Sequence, residues 1–135
     1  MEKYEILEHK ADLKIRAFGR KKEEVFLNAL LGMESALRAK IKNPKLKIKN
    51  KIKIKSLDLS ALLVDFLSEA LYLIQVNKEI YKEIKFKKFT DTELKAELLG
   101  QKAERFGKDI KAVTYHGLDI KKVNNLWEAV VLFDI

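Results

Sequence analysis

The sequence has 135 residues, 47% of them hydrophobic and 36% charged, which indicates one folded domain with a single core and excludes a disordered chain. It contains no cysteine, which excludes disulfides, thiolate zinc sites and cysteine nucleophiles. The net charge of +8 comes mostly from lysine, which carries a point charge without the fork that reads bases. The charge therefore permits an acidic or nucleic-acid partner but argues against sequence-specific nucleic-acid recognition.

The first half of the chain alternates between strand and helix patterns. Residues 11–18 alternate apolar and polar side chains, which predicts a strand with one buried face. Residues 22–38 carry apolar side chains spaced four, three and four apart, which predicts an amphipathic helix. After a turn at Asn43–Pro44, residues 46–55 predict a strand with lysines on one face, in which Asn50 marks a bulge or a hairpin tip.

The lysine-rich strand has two interpretations. The first is a phosphate-binding surface, and the second is an edge or solvated strand whose lysines prevent edge-to-edge aggregation. No aromatic side chains interleave with the lysines for base stacking, which favours the second interpretation.

The second half of the chain begins with the most apolar helix. Ser56 or Asp58 can cap a helix that runs from Leu59 to Ile74, and Asp65 and Glu69 are predicted to lie on its solvated face rather than in an acid–base or metal site. A strand is expected to begin at Ile84, and two further strands are expected over 94–100 and 109–120. A polar loop is expected over 101–108, and a turn at 123–125. Residues 127–135 are apolar on both faces, which predicts an interior strand covered on both sides.

This order of elements predicts an α+β fold, with two main helices packed on a largely antiparallel sheet in a single compact domain over residues 1–135. No apolar run appears long enough to cross a bilayer, and Met1 is followed by charged residues rather than an apolar signal core. We therefore expect a cytoplasmic protein with no membrane partner.

A cluster of carboxylates is the main candidate site. Asp134 and the terminal carboxyl group of Ile135 are adjacent anionic groups, and Asp12 approaches them if the first strand neighbours the last. Such oxygen ligands suit a hard cation, Ca²⁺ or Mg²⁺, better than zinc. The alternative is that Asp12 caps a turn and that Asp134 pairs with Lys111 or another lysine.

Other catalytic motifs are missing from the sequence. The five glycines are scattered singly and form no phosphate loop, and no serine stands in a nucleophile elbow. The two histidines, His9 and His116, are interpreted as structural, since nothing in their spacing demands a metal site.

Four blocks of sequence, in this order, resemble the archease family across essentially the whole chain. They are His9-Lys10-Ala11-Asp12 with Gly19, Leu62–Glu69, Ile110–His116 and Val131–Ile135. The chain departs from the family pattern at Lys10, where a threonine is usual, and over Gly100–Gly107, where the family usually carries a Gly-Glu and a histidine. These departures concern partner contact and cation affinity rather than the cation ligands.

The resemblance implies a function and a set of residues. Archeases are accessory proteins of the RNA ligase that joins tRNA exon halves; they promote guanylylation of the ligase and its multiple turnover, broaden its nucleotide use, and have no ligation activity. Asp12, Asp134 and Ile135 correspond to the ligands of a divalent cation, usually calcium, and Lys111 corresponds to the essential lysine. His9 and His116 are supporting candidates.

Two other functions remain as alternatives. A basic RNA-binding or chaperone-like module would use the lysine-rich strand and would bind RNA weakly and without sequence preference. A metal-dependent hydrolase is less favoured, because few candidate catalytic groups accompany the carboxylates.

Overall fold

The structure is a computed structural model that describes residues 2–8, 12–45 and 47–135, in which the chain forms two helices and eight strands. In chain order the elements are β1 Tyr4–Glu8, β2 Asp12–Gly19, α1 Lys22–Leu37, β3 Ala39–Ile41, β4 Lys47–Lys55, α2 Leu59–Asn77, β5 Glu79–Phe89, β6 Glu93–Phe106, β7 Ala112–Val123 and β8 Leu126–Asp134. Every strand pairing in these residues is antiparallel, which confirms the predicted α+β class.

The strands form two sheets rather than the single sheet that was predicted. The first sheet has the order β1-β2-β8-β7, so β8 is an interior strand as expected. In the second sheet β6 is central: it pairs with β3, β4 and β5. The strands divide into two sheets because β6 pairs with β3, β4 and β5, whereas β8 pairs with β2 and β7.

The core lies between the inner faces of the two sheets, and both helices fill it. Helix α1 contacts β1, β2, β5 and β8, whereas α2 contacts β4, β5, β6 and β7. The Phe26 ring of α1 lies 5.6 Å from that of Phe66 on α2 and 5.0 Å from that of Phe89 on β5. These rings join the helices and the second sheet in one continuous core.

Helix α2 is the central core helix, and Asp58 caps it by accepting a hydrogen bond from the Ala61 N–H at 2.8 Å. By length and composition alone its 19 residues could span a membrane, which corrects the statement that no apolar run is long enough. The side chains of Leu62, Leu63 and Phe66 are nevertheless fully buried inside the domain. The apolar character of α2 is therefore explained by its place in the core.

Strand β8 is covered completely on only one face, which corrects the prediction of two covered faces. Ala129, Val131 and Phe133 are fully buried against the helices, whereas Val130 and Leu132 on the opposite face are half-buried. On β2 the same face carries Lys14, Arg16 and Phe18, which are also half-buried.

Three local predictions about the second sheet were wrong. The polar segment 101–108 is not a mobile loop, because β6 continues to Phe106 and pairs there with β3 and β5. Strand β5 begins at Glu79, five residues before Ile84. Asn50 marks neither a bulge nor a hairpin tip, since β4 pairs with β6 in continuous register through it.

The tight connection before β8 agrees with the predicted turn. Asn124 and Asn125 both have positive φ angles, 50° and 65°, which is the left-handed conformation that a two-residue hairpin requires. Farther back on β7 the register shifts between Thr114 and Asp119, and Gly117 has a φ of 69° within this bulge. Gly117 therefore marks a bulge inside one strand.

Candidate functional site

Asp12 and Asp134 are direct cross-strand partners. Strand β2 pairs with β8 so that Asp12 lies opposite Asp134, at the end of both strands. Directly opposed residues of an antiparallel pair project their side chains to the same face of the sheet. The alternation of β2 buries Leu13 and leaves Asp12 on the outer face, so the two carboxylates share that face.

One oxygen of this pair is buried without a partner. Asp12 Oδ1 is shielded from solvent and makes no hydrogen bond among the described residues. A buried carboxylate oxygen without a donor is costly unless a cation or a proton satisfies it. The orphaned oxygen therefore fits a hard cation at this position, as does the oxygen-only chemistry of the neighbouring groups.

Lys111 and Ile135 complete the surroundings of the carboxylates. The Lys111 main-chain N–H donates to the Asp134 carbonyl oxygen at 2.7 Å, which fixes Lys111 beside the pair. Ile135 follows Asp134 directly, is 37% exposed, and lines a small cavity of about 70 Å³. Glu8, Lys108 and Asp109 line the same cavity and add charged groups beside Ile135.

The alternative in which a lysine neutralises Asp134 is not found in the described part of the chain. There, neither Asp12 nor Asp134 has a lysine or arginine nitrogen within 4.0 Å. Those residues also contain no group of three or more His, Asp or Glu side chains that could hold a metal ion. The described side chains therefore supply fewer than three such ligands at this position, and the predicted ligand set adds the carboxyl group of Ile135.

The structure describes one of the two histidines, His116, and it lies in the bulge of β7 rather than opposite the aspartates. His9 lies outside the described residues. His116 is exposed, and its main-chain N–H donates to Thr114 Oγ1 at 3.0 Å within the β7 bulge. Ala112 is the β7 residue that pairs with Asp134, whereas His116 lies beyond Thr114, in the bulge where the β7 register shifts, so it is not a cross-strand neighbour of Asp134.

A second polar cluster joins α2 to β7, and it corrects the prediction that Asp65 lies on a solvated face. Ser56 Oγ donates to Asp65 Oδ2 at 2.6 Å, and the Tyr115 hydroxyl donates to Asp65 Oδ1. The hydrogen bond to the carboxylate raises the pKa of Tyr115. The sequence indicated no such contact, because Tyr115 is 50 positions from Asp65 and belongs to another element.

The least expected titratable group is Glu34 of α1. It is only 7% exposed, and burial raises its pKa from 4.5 to about 8, against the opposing effects of the Tyr81 N–H and the Lys82 charge. The Tyr81 N–H donates to Glu34 Oε1 at 2.5 Å. Glu34 also lines an open cavity of about 520 Å³ with Lys3, Arg38 and Lys82.

Comparison with known proteins places these features in a family. The sequence model of the Archease protein family matches residues 4–135. The protein archease of Methanosarcina barkeri is 39% identical, with 98% of this chain and 95% of the relative covered. The protein archease of Thermococcus kodakarensis is 30% identical, with both chains covered completely.

Two solved structures have the same fold. Protein 1598 of Methanobacterium thermoautotrophicum superposes with a TM-score of 0.70 at 26% identity, with 100% of each chain covered. An archease of Thermotoga maritima, described as a possible chaperone, superposes with a TM-score of 0.71 at 20% identity over 96% of this chain and 94% of its own.

Proposed function

The chain belongs to the archease family, and on this premise we propose that it is a cytoplasmic accessory protein of tRNA splicing that activates a GTP-dependent RNA ligase. It would promote guanylylation of the ligase and multiple turnover, broaden its use of nucleotides, and catalyse no reaction itself. The observation that supports this most directly is the pairing of Asp12 with Asp134, which brings together two residues implied by the resemblance from opposite ends of the chain.

Asp12, Asp134 and the carboxyl group of Ile135 would hold the divalent cation, with Ca²⁺ favoured and Mg²⁺ as the alternative. The orphaned Asp12 Oδ1 and the shared face of the two aspartates support this ligand set. When bound, the cation would supply positive charge that cancels the repulsion between carboxylates and fixes their arrangement. The Glu8 and Asp109 carboxylates beside Ile135 would add to the negative electrostatic potential that attracts the cation, without being required as ligands.

Lys111 would make the contact with the ligase. Its side chain is exposed, and its main chain is tied to Asp134 by the 2.7 Å hydrogen bond, so its position depends on the carboxylate pair. A protein that binds the guanylylation-competent conformation of the ligase better than the resting one shifts the population toward it. The end of the first sheet would act through this differential binding, which requires ordered charge and no reaction by the protein itself.

The test is guanylylation of the cognate ligase with GTP, followed through formation of the ligase–GMP adduct and through multiple-turnover joining of RNA ends. Adding the wild-type protein should stimulate both, and Asp12→Asn should lose the stimulation. Asp119→Asn is the matched control, because Asp119 is an exposed carboxylate of β7 that pairs with Lys121 away from the cluster. Normal stimulation by Asp12→Asn would reject the proposal.

A second comparison separates the cation from the contact. Lys111→Gln should also abolish stimulation but leave cation binding intact, whereas Lys121→Gln should leave both unchanged. Cation binding can be followed independently as the rise in unfolding temperature when calcium is added. If Lys111→Gln stimulates the ligase as well as wild type does, the contact role is wrong even if the cation site is right.

A further inference from the structure

The outer face of the second sheet has a net charge close to that of the whole protein. We call it the lysine face, and its charged members are Lys47, Lys49, Lys51, Lys53, Lys55, Glu83, Lys85, Lys87, Lys88, Glu93, Lys95 and Glu97. Nine lysines against three glutamates give this face an excess of six positive charges, compared with a net charge of +8 for the whole chain.

The register places like charges directly against each other. Lys53 of β4 lies opposite Lys95 of β6, and Lys95 lies opposite Lys88 of β5. This makes a row of three lysines across three neighbouring strands, which are about 5 Å apart. Like charges directly opposite each other destabilise a sheet, so folding alone gives no reason for this row.

The glutamates of the face neutralise only part of its charge. Glu97 contacts Lys49 and Lys87 at 3.7 and 3.6 Å, and Glu93 contacts Lys55 at 3.5 Å and Lys88. These contacts lower the pKa values of both glutamates, so both are ionised at neutral pH. The remaining lysines have no carboxylate within 4.0 Å among the described residues; they are Lys47, Lys51, Lys53, Lys85 and Lys95.

Protection of the sheet edge explains only some of these lysines. In the described structure β4 pairs with β6 alone, so its lysines can discourage edge-to-edge pairing as expected for an edge strand. Lys95, however, lies on β6, which is paired along both sides and has no edge at that position. Because Lys95 lies between two other lysines and protects no edge, we interpret it as part of a surface that binds an anionic partner.

We propose that the lysine face binds the phosphate backbone of double-stranded RNA without reading its sequence. The face presents lysines and no arginines, which suits phosphate charge rather than base edges. It presents no aromatic side chain on which an unpaired base could stack, which favours a duplex over a single strand. The choice of RNA over DNA rests on the proposed function, because the substrate of the proposed partner ligase is RNA.

A protein partner fits this face less well. The centres of protein interfaces are depleted in lysine and are anchored by aromatic, arginine or other large side chains. Leu99 is the one large apolar residue among the outward positions of β6, and it is only partly exposed. Along β4 the lysines recur at every second residue, about 6.6 Å apart, which provides a regular array for a charged backbone.

The experiment measures binding of the protein alone, with no ligase present, to a fluorescent RNA duplex across a salt series. The wild type should bind with an affinity that falls steeply with salt. The Lys53→Gln/Lys95→Gln double variant should reduce the slope of log affinity against log salt by about two, that is, about one for each lysine. Its unfolding temperature should stay level or rise, because the substitutions remove like-charge repulsion.

The matched control is Lys21→Gln/Lys121→Gln, which removes the same charge from exposed positions outside the lysine face and should leave the slope almost unchanged. Equal losses in the two double variants would overturn the proposal, since binding would then follow net charge alone. Equal or tighter binding of a single-stranded RNA, a DNA duplex of the same sequence or a polyglutamate chain would overturn it as well. Because no ligase is present, failure here leaves ligase activation standing, and loss of activation by Asp12→Asn leaves duplex binding standing.

Discussion

Asp12 and Asp134 face each other across the pairing of β2 with β8, with one Asp12 oxygen buried and unsatisfied in the described structure. Two carboxylates in this relationship repel each other, and the sheet register prevents them from separating. The pair lies at the end of two strands whose next residues, Leu13 and Phe133, are buried in the core. A cation that binds both carboxylates would cancel their repulsion and should therefore stabilise the first sheet.

Calcium should raise the unfolding temperature of the wild-type protein and should not raise that of Asp12→Asn. At a calcium concentration 100 times the dissociation constant, the expected gain in unfolding free energy is about 2.7 kcal/mol. Without calcium, Asp12→Asn should be as stable as the wild type or more so, because it removes the repulsion. Calorimetry with and without calcium checks both statements, and Asp119→Asn should behave as the wild type does.

A chain lengthened beyond Ile135 should bind calcium more weakly. An added residue converts the Ile135 carboxyl group into a neutral amide carbonyl and moves the terminal charge away from the aspartates. A single glycine is the smallest such extension, and an extension at the other end of the chain is the matched control. Isothermal titration with calcium measures the change, and equal affinities would show that the terminal carboxylate charge of Ile135 is not needed for calcium binding.

Glu34 should make the protein less stable as the pH rises from about 4.5 to about 8. Burial raises the folded-state pKa to about 8, whereas in the unfolded chain the pKa is about 4.3. Between these two pH values the folded state holds a proton that the unfolded state has released. The contribution of Glu34 to the free energy of unfolding is therefore complete at the acidic end of this range and is lost as the pH rises to about 8. The total effect is up to about 5 kcal/mol.

Urea unfolding at pH 5 and pH 8 measures this loss. Glu34→Gln keeps the shape and the acceptor for the Tyr81 N–H but cannot ionise, so it should flatten the pH dependence and be more stable than the wild type at pH 8. Glu83→Gln, an exposed glutamate of β5, should retain the wild-type dependence. Parallel curves for the wild type and Glu34→Gln would show that Glu34 does not titrate in this range.

The Asp65 carboxylate should hold α2 against the β7 bulge. Tyr115→Phe removes one of its two side-chain donors and should cost about 1 kcal/mol of unfolding free energy. Asp65→Asn should lower the pKa of Tyr115 toward its ordinary value of 10. An alkaline titration followed by tyrosinate absorbance measures the pKa of Tyr115, once the curve of Tyr115→Phe has been subtracted. An unchanged pKa in Asp65→Asn would contradict the hydrogen bond between Tyr115 and Asp65.

Gly100 should not tolerate even one additional carbon. An added Cβ would lie 1.8 Å from the Ile80 carbonyl oxygen, at the point where β5 and β6 approach most closely. Gly100→Ala should therefore force the two strands apart and cost about 3 kcal/mol or more. At Gly107, where the nearest atom is Arg38 Cβ at 3.2 Å, the same change should cost about 1 kcal/mol, and chemical denaturation compares the two.

Alternation and helical spacing were sufficient to predict much of this fold. The buried faces of α1 and β2, the cap at Asp58 and the interior place of β8 all follow from local patterns, and the structure confirms them. The approach of Asp12 to Asp134 was predicted only on the condition that the first strand neighbours the last, and the pairing of β2 with β8 meets that condition. The role of this pair in binding a cation remains a prediction.

The errors arose where partners distant in the sequence decide the structure. Residues 101–106 are polar enough to indicate a loop, but they form a strand because their backbone pairs with β3 and β5, and Lys102 contacts the buried Glu79 at 3.4 Å. Asn50 suggested a break, yet its side chain donates to Glu79 and to Tyr81 Oη across the sheet. No local pattern contains such contacts.

The insertion of β8 between β2 and β7 also determines the order in which the molecule can be assembled. The β7–β8 hairpin is local and can form early, but its pairing with β2 joins segments separated by both helices and the entire second sheet. Closing so long a loop has a high entropic cost, and contacts of this separation slow folding. During synthesis β2 is made long before its partner β8, and until β8 has left the ribosome one edge of β2 lacks the strand that covers it in the folded sheet.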